Sequence, residues 1–398
     1  MNSQFVFVAC KIGYENACKN EVLNECQNLR FSFSRPGFLT FKVAEGAADF
    51  SRINRLTFAR TSGLNIGKCA LEEGELSPSA NEGISGVIEE KRIEHIHYWN
   101  RTVGAPDDDV ILEYSDQRPD AIDEFASEFA KKFNLNLNQP APINQWVLDL
   151  IEVDPGSIWY SCHQVQSPQQ CWPGGIIRFS RPDNLVSRAY LKTREAMIWS
   201  RFPFGENETC IEIGCAPGGS AQALLESGLK VIGIDPADVD ESINSHENFE
   251  HVKKRSADVR KKSLGEAKWL FADSNVAPQY TLDSVEDIAT NQHVHLKGMI
   301  LTLKLLEPKL VTEIPKFRER IQSMGFQYVK TRQLAFNRNE ICLAALKRKS
   351  ILRFGMQRSN RKPQTPDASS KPEGSPKPED LTKSDDLTKS EDPKNTES

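Results

Sequence analysis

The pattern of apolar and polar positions changes at about residue 184, and the two sides of that point predict different folds. Beyond it, short apolar runs alternate with stretches of helical periodicity. This alternation predicts an α/β domain with a mostly parallel, doubly wound sheet and helices on both faces. Strands are expected at residues 209–213, 231–234, 249–252, 269–272, 298–303, 328–332 and 341–347. Helices are expected at residues 220–226, 284–296 and 308–324.

The residues before this point have an α+β pattern. Residues 1–86 begin with a β-α-β-β-α succession, which is typical of a ferredoxin-like unit. A polar connection at about residues 72–86 leads to a second small unit, residues 87–183, with a helix that ends near Phe133 and strands at 145–151 and 157–162. Neither unit contains a visible catalytic constellation, so both are predicted to bind or position a partner. Residues 184–350 form the predicted Rossmann-like domain.

Residues 351–398 differ in composition from the rest of the chain. From about residue 357 onward no aromatic residue occurs, and Pro, Ser, Lys, Asp and Glu dominate. Such a segment cannot bury enough apolar surface to offset the entropy of ordering, so a disordered charged tail is predicted.

Composition narrows the compartment and the partners. No apolar stretch approaches the ~20 residues of a membrane span, and the N-terminus lacks the features of a signal peptide. The nine cysteines are scattered without a Cys-x-x-Cys pair, which indicates reduced thiols in a cytoplasmic protein without a metal site. The net charge of −5 argues against a polyanion partner, but basic clusters such as residues 253–255 and 260–262 leave RNA open.

A glycine-rich turn follows the predicted strand 209–213 and opens a helix. Gly214, Gly218 and Gly219 remove side chains where the chain turns sharply, which permits close approach of the backbone to a ligand. The spacing fits neither the dinucleotide fingerprint nor the P-loop, whereas S-adenosylmethionine (SAM) needs no anion cradle. Asp235 suits a hydroxyl of the ligand's ribose and Asp258 its adenine end. A helix cap and a surface turn remain the alternatives for these two carboxylates.

Four separated residues suggest the chemistry: Lys192, Asp273, Lys304 and Glu340. A ribose hydroxyl has a pKa above ~12, so its attack on a methyl group needs a base within hydrogen-bond reach. A lysine can serve if its pKa is lowered from ~10.4, which a neighbouring cation achieves. In this interpretation Lys304 is the base, Lys192 lowers its pKa and contacts the substrate, and the two carboxylates orient the ammonium groups. No metal is required, because the methyl group of SAM is already activated.

Several motifs recur in the same order in a known family. They are residues 187–192 (SRAYLK), 216–219 (APGG), 272–278 (ADSNVAP), 303–305 (LKL) and 337–340 (NRNE). They resemble the Rossmann-like ribose 2′-O-methyltransferases of the FtsJ type, and within them a bacterial group that modifies a cytidine of 23S ribosomal RNA. The resemblance implies SAM as cofactor, RNA as partner, and a Lys-Asp-Lys-Glu tetrad in which Lys304 accepts the proton. It also implies cofactor contacts at Ala189, Gly214, Ala216, Pro217, Gly218, Gly219, Asp235, Asp258 and Asp273.

The resemblance extends into the N-terminal half, where residues up to about 183 look like the RNA-binding THUMP module of that group. The sequence departs from the group's pattern at Glu212, Ala216, Ser220 and Ala189, where aspartate, cysteine, an aromatic residue and serine are usual. A non-catalytic RNA-binding or assembly factor with the same fold remains an alternative. A base N-methyltransferase is disfavoured because Asp273 is not followed by Pro-Pro, and a nicotinamide oxidoreductase by the glycine spacing.

Overall fold

Two β-sheets organise the protein, one in each half of the chain. A computed structural model describes residues 4–72, 75–102, 120–179 and 181–347. The predicted tail, residues 351–398, lies outside the described residues. The N-terminal sheet has eight strands and the C-terminal sheet seven, and both belong to one compact unit.

The eight-stranded sheet contains a complete ferredoxin-like unit. Its elements are β1 (Phe5–Ala9), α1 (Glu15–Glu25), β2 (Leu29–Arg35), β3 (Phe38–Val43), α2 (Phe50–Ile53), β4 (Thr61–Ala70), α3 (Pro78–Lys91), β5 (His95–Asn100), α4 (Asp120–Phe133), β6 (Asn136–Leu137), β7 (Trp146–Asp154) and β8 (Ser157–Gln164). The strand order is β2-β3-β1-β4-β8-β7-β5-β6. Strands β1 to β4 with α1 and α2 have the β-α-β-β-α-β succession of that fold, as the sequence indicated.

The two predicted N-terminal units share this one sheet. Strand β4, which sequence reasoning missed, pairs antiparallel with β1 on one side and with β8 on the other. Its glycines and polar residues hide the alternation of a strand. The expected polar connection is largely α3, because the Ser77 hydroxyl caps the helix at the amide of Ala80. The predicted boundary between residues 86 and 87 therefore falls inside a helix.

The seven-stranded sheet is the predicted mostly parallel, doubly wound sheet. Its elements are α5 (Ala189–Ser200), β9 (Thr209–Ile213), α6 (Gly219–Glu226), β10 (Lys230–Ile234), α7 (Glu241–Asn244), β11 (Phe249–Val252), β12 (Trp269–Ala272), α8 (Pro278–Ala289), β13 (Gly298–Lys304), α9 (Leu310–Ser323), β14 (Tyr328–Arg332) and β15 (Glu340–Leu346). The order is β11-β10-β9-β12-β13-β15-β14, parallel from β11 to β13, with β15 antiparallel to both of its neighbours.

Two helices of this half differ from expectation. The helix expected at residues 284–296 is α8, which begins earlier because Pro278 occupies its first turn and the apolar positions of Pro278–Ala289 already face the core. Helix α5 was not predicted at all. This helix precedes β9, the first strand of the C-terminal sheet, and it positions Lys192.

A buried arginine joins the two halves. Arg332, at the end of β14, donates to the carbonyl oxygens of Asn54, Ala59 and Arg60 at 2.8, 2.5 and 2.7 Å. Beside it the hydroxyls of Thr57 and Thr331 lie 2.8 Å apart. Burial lowers the pKa of Arg332 to about 10, so the guanidinium remains charged at neutral pH. The segment between α2 and β4 is thereby fixed against the C-terminal sheet.

Candidate active site at the carboxyl edge of the C-terminal sheet

The four predicted catalytic residues converge at the carboxyl ends of β12 and β13. Asp273 follows β12 directly, and Lys304 is the last residue of β13. Glu340 begins β15 and is the register partner of Lys304, while Lys192 comes from α5. Ligands of open α/β sheets bind at this edge. The arrangement brings together side chains from four elements that are far apart in sequence.

Each carboxylate of the tetrad is shared by both lysines. The Lys304 ammonium lies 3.3 Å from Asp273 Oδ1 and 3.5 Å from Glu340 Oε1. The Lys192 ammonium pairs with Asp273 Oδ2 and lies 3.4 Å from Glu340 Oε1. Side-chain exposures are 14% for Lys192, 10% for Asp273, 13% for Lys304 and 7% for Glu340. The tetrad is therefore largely shielded but reachable from solvent.

The electrostatics of Lys304 correct one expectation. Burial lowers the pKa of Lys304, but Asp273 and Glu340, through their charges and hydrogen bonds, outweigh that effect and the pKa is raised. The expectation that Lys192 lowers the pKa of Lys304 is therefore wrong for the protein without a bound ligand. The reason is geometric, since two carboxylates lie within 3.5 Å of the Lys304 ammonium.

The predicted cofactor turn lies beside the tetrad. Asp235, which follows β10, accepts from the amide of Ala216 at 3.2 Å and from that of Ala237 at 2.8 Å. The backbone amide of Asp273 donates to Ile213 at 3.3 Å, just before Gly214. These bonds bring the carboxylates of Asp235 and Asp273 to the two sides of the turn.

The glycines of the turn make room for the protein's own segments. A Cβ atom at Gly214 would lie 2.6 Å from the Ser274 hydroxyl, and one at Gly219 would overlap Ser187. Gly218 has a φ of +120° and faces α7. The sequence suggested that these glycines admit a ligand. In the structure Gly214 and Gly219 admit the segments that carry Asp273 and Lys192 to the site.

Glu212 lies buried in β9 beneath the turn. Neither of its oxygens has a hydrogen-bond partner among the residues that the structure describes, although the Ser220 hydroxyl is near enough to lower its pKa somewhat. Burial, with the charges of Asp273 and Asp235, prevails and raises the pKa of Glu212 to about 8. Glu212 is therefore predominantly protonated at neutral pH.

Two predicted cofactor residues are less closely tied to this centre. Ala189 begins α5, and its amide lies 3.3 Å from the Ser187 hydroxyl that packs against Gly219. Asp258 ends a single 3₁₀ turn, Ser256–Asp258, beyond β11. Its side chain is exposed. Its predicted contact with the cofactor stays a prediction.

Sequence reasoning missed a residue of the N-terminal unit at this site. The Tyr14 hydroxyl donates to Asn339 Oδ1 at 3.4 Å, and its ring stacks on Phe58 with centroids 5.6 Å apart. Burial raises the pKa of Tyr14, and the Glu340 carboxylate contributes to the shift. No sequence signal could have revealed this contact, because it joins residues 325 positions apart.

Several general features accompany the site. All nine cysteines are free. Within the described ranges, no helix is long and apolar enough to cross a membrane. In the same part of the chain, no group of three or more His, Cys, Asp or Glu side chains could hold a metal ion.

Fold and site together define a Rossmann-like methyltransferase domain in the C-terminal half of the chain. Residues 185–350 match the family model of the FtsJ-like methyltransferases. The resemblance inferred from the motifs is thus confirmed for this half.

Three curated relatives, each named ribosomal RNA large subunit methyltransferase M, extend the similarity. The Thauera aminoaromatica protein is 27% identical over 209 residues, which cover 49% of this chain and 55% of that protein. The Halorhodospira halophila protein is 33% identical over 122 residues, 30% of this chain and 35% of that protein. The Mannheimia succiniciproducens protein is 25% identical over 366 residues, 83% of this chain and 96% of that protein. The chain thus spans about half of the first relative and nearly all of the last.

Proposed function

We propose that this protein is a SAM-dependent RNA ribose 2′-O-methyltransferase that acts on ribosomal RNA. The observation that carries the proposal is the convergence of Lys192, Asp273, Lys304 and Glu340 beside the glycine-rich turn. Base methyltransfer and hydride transfer would not require two lysines that share two carboxylates.

The charge around the turn fits SAM better than a dinucleotide. Two acidic side chains, Asp235 and Asp273, lie on the two sides of the turn. A cationic ligand is favoured at such a position, whereas the pyrophosphate of a dinucleotide is repelled. Ala216, Pro217 and Asp235, with Asp273 of the tetrad, are the residues that would hold SAM. SAM supplies an activated methyl group for attack by an oxygen nucleophile.

The tetrad has a division of labour. Lys304 accepts the proton of the 2′-hydroxyl at Nζ, and for this it must be neutral when the acceptor is in place. Asp273 and Glu340 hold that nitrogen in position. Lys192 binds the same carboxylates, so it limits the negative charge that keeps Lys304 protonated. A further positive charge close to Asp273 would lower the pKa of Lys304 towards the working range.

The identity of the RNA rests on the relatives. Their shared name points to large-subunit ribosomal RNA, and we propose a cytidine of 23S RNA or its precursor as the acceptor. The eight-stranded sheet, including its proposed THUMP-like part, would bind that RNA. The free thiols fit a reducing compartment, and a cytoplasmic location is proposed.

Replacement of the proposed base tests the function. In Lys304→Ala the rate of methyl transfer to ribosomal RNA should fall at least ~10³-fold, which corresponds to ~4 kcal/mol of transition-state stabilisation. Calorimetry should give a SAM affinity within a factor of about three of the wild type. The control is Lys297→Ala, which removes a lysine just before β13 that pairs with Glu208. An active Lys304→Ala protein would refute the base assignment.

The same measurements address the alternative of a non-catalytic RNA-binding or assembly factor. A wild-type protein that fails to bind SAM could not be the enzyme. Ribose methylation should then be mapped in RNA from cells with and without the gene. Loss of one 2′-O-methyl group from 23S RNA is expected, and an unchanged map would contradict the proposed substrate.

A further inference from the structure

Among the described residues, large apolar side chains are exposed at four positions, and three of these follow a tetrad residue within a few positions of the sequence. In the described ranges they are Tyr280 (67% exposed), Leu306 (62%), Val276 (40%) and Phe31 (39%). Phe31 belongs to the N-terminal sheet. The other three lie in the segments that follow β12 and β13, shortly after Asp273 and Lys304.

The fold brings the segments of these three residues together. Val276 lies three residues after Asp273, and Tyr280 is in the first turn of α8. Leu306 lies two residues after Lys304. Strands β12 and β13 are adjacent and parallel, with Ala272 opposite Leu301. Their following segments therefore leave the sheet side by side at its carboxyl edge.

An exposed apolar patch with a polar rim marks an interaction site, whereas single exposed apolar side chains do not. We propose that Val276, Tyr280 and Leu306 form a platform on which the base of the acceptor nucleotide, unstacked from its RNA, rests while its ribose lies at the tetrad. The proposal rests on the proposed function and adds how the acceptor is held. From here the three side chains are called the base platform.

The chemistry of an unstacked nucleotide matches this surface. RNA-binding proteins recognise single-stranded bases chiefly by stacking them on aromatic side chains, since every base has an apolar face. The ribose and the phosphates stay polar, and the platform segments begin directly after Asp273 and Lys304 of the tetrad. Exposed basic side chains at Lys254, Arg255 and Arg260 follow β11 along the same edge of the sheet. They complement the phosphates of a strand that passes across the site.

The direct test is the catalytic effect of removing the aromatic ring. Tyr280→Ala should lower kcat/KM for RNA about tenfold to a hundredfold, because stacking on one ring contributes that much to binding of a base. The SAM affinity should not change. Tyr280→Phe should restore most of the loss, because the phenyl ring keeps the stacking surface. Glu319→Ala removes an exposed side chain near the C-terminal end of α9, outside the tetrad and outside the proposed RNA-binding sheet, and is the control with a rate within about twofold of the wild type.

A binding measurement separates this proposal from the proposed function. Fluorescence anisotropy is measured with single-stranded oligocytidylate RNA and with an abasic ribose-phosphate chain of the same length. The wild type and Glu319→Ala should bind oligocytidylate more tightly than the abasic chain, and Tyr280→Ala should lose that preference. Loss of the preference in a protein that does not methylate RNA would support the platform and refute the enzyme.

Two results would overturn the base platform. One is a wild type without preference for bases over the abasic chain. The other is a Tyr280→Ala protein that keeps both the preference and its rate on naked RNA. If that variant fails only with intact ribosomal particles, the surface contacts a protein of the particle and the proposal is wrong.

Discussion

The two sheets treat buried charge differently. In the N-terminal sheet Asp149 and His163 form a closed pair, with His163 Nδ1 2.5 Å from Asp149 Oδ2. The Trp99 indole donates to the second oxygen of Asp149 at 3.0 Å, and His163 Nε2 lies 3.0 Å from the carbonyl of Gln170. In the C-terminal sheet the tetrad is at an edge, and each carboxylate divides its charge between two lysines.

The surroundings of each charged cluster indicate its role. Every polar atom of the Asp149–His163 pair is used inside the protein, so the pair serves stability. Burial lowers the pKa of His163 while Asp149 raises it, and the net shift is upward. Its stabilising effect is complete below the unfolded-state pKa of ~6.5 and is lost as the pH rises through the folded-state value. The tetrad is partly open, so its groups remain available to a substrate.

The largest expected effects come from the same substitution made in each sheet. Asp273→Asn should lower the rate of methyl transfer about 10²- to 10³-fold. Its cost in the free energy of unfolding should be smaller than that of Asp149→Asn, because the tetrad can be reached from solvent and the Asp149–His163 pair cannot. Asp149→Asn should cost about 3 kcal/mol of stability, because it breaks a buried pair, and leave the rate per folded molecule unchanged. Urea unfolding and initial rates measure both. A stability loss confined to Asp273→Asn would contradict the assignment of the Asp149–His163 pair to stability and of the tetrad to the substrate.

The rate of methyl transfer should also depend on pH, because Lys304 of the tetrad must lose its proton to act. Only the neutral amine of Lys304 accepts a proton, and its pKa is raised. The rate should therefore increase about tenfold per pH unit between pH 7 and 9, where the neutral fraction is still small. Initial rates at saturating RNA and at SAM concentrations well below KM measure this slope, because they report the pKa of Lys304 in the protein without SAM, with SAM affinity at each pH as the control. A flat profile would mean that Lys304 does not act as the base.

Glu212 tests how stability depends on pH, because its carboxyl group is buried and has no hydrogen-bond partner among the described residues. Its folded-state pKa of about 8 lies above the ordinary unfolded value, so the folded protein retains a proton that the unfolded chain has released. Stability should fall as the pH rises from about 4.5 to 8. Glu212→Gln lacks this titration and should be the more stable protein, by on the order of 1 kcal/mol more for each pH unit. Parallel stability curves for the two proteins would contradict the raised pKa.

The smallest expected effect concerns the contact between the halves at the tetrad. Tyr14→Phe removes the hydroxyl that holds Asn339, next to Glu340, but keeps the stacking on Phe58. We expect kcat to fall about threefold to fivefold with unchanged SAM affinity, because the turn before Glu340 becomes less ordered. Tyr190→Phe, which removes a bond to Glu226 on a neighbouring helix, is the control. Equal effects of the two would remove Tyr14 from the site.

Local pattern was sufficient for much of the C-terminal half. The strands at 209–213, 249–252 and 269–272 were predicted with their observed limits, because apolar runs bounded by polar turns mark parallel strands clearly. The convergence of Asp273 and Lys304 followed from their places at strand ends.

The features that could not be predicted from the sequence depend on distances across the fold. Strand β4 is defined by its partners on both sides rather than by its own alternation. The sign of the Lys304 shift depends on two carboxylates being closer than any pattern reveals. The contact of Tyr14 with Asn339 requires the complete packing of both halves.

Arg332 has a consequence for how this protein can be divided. A fragment that begins at residue 184 would retain the guanidinium but lose the three carbonyl acceptors and the Thr57 hydroxyl that surround it. A cation would then stand on a surface shaped for another chain segment, beside apolar positions that formerly shared one core with Val22 and Leu39. The catalytic half is therefore not a portable module. Grafting it onto a different RNA-binding partner would require a redesigned end of β14.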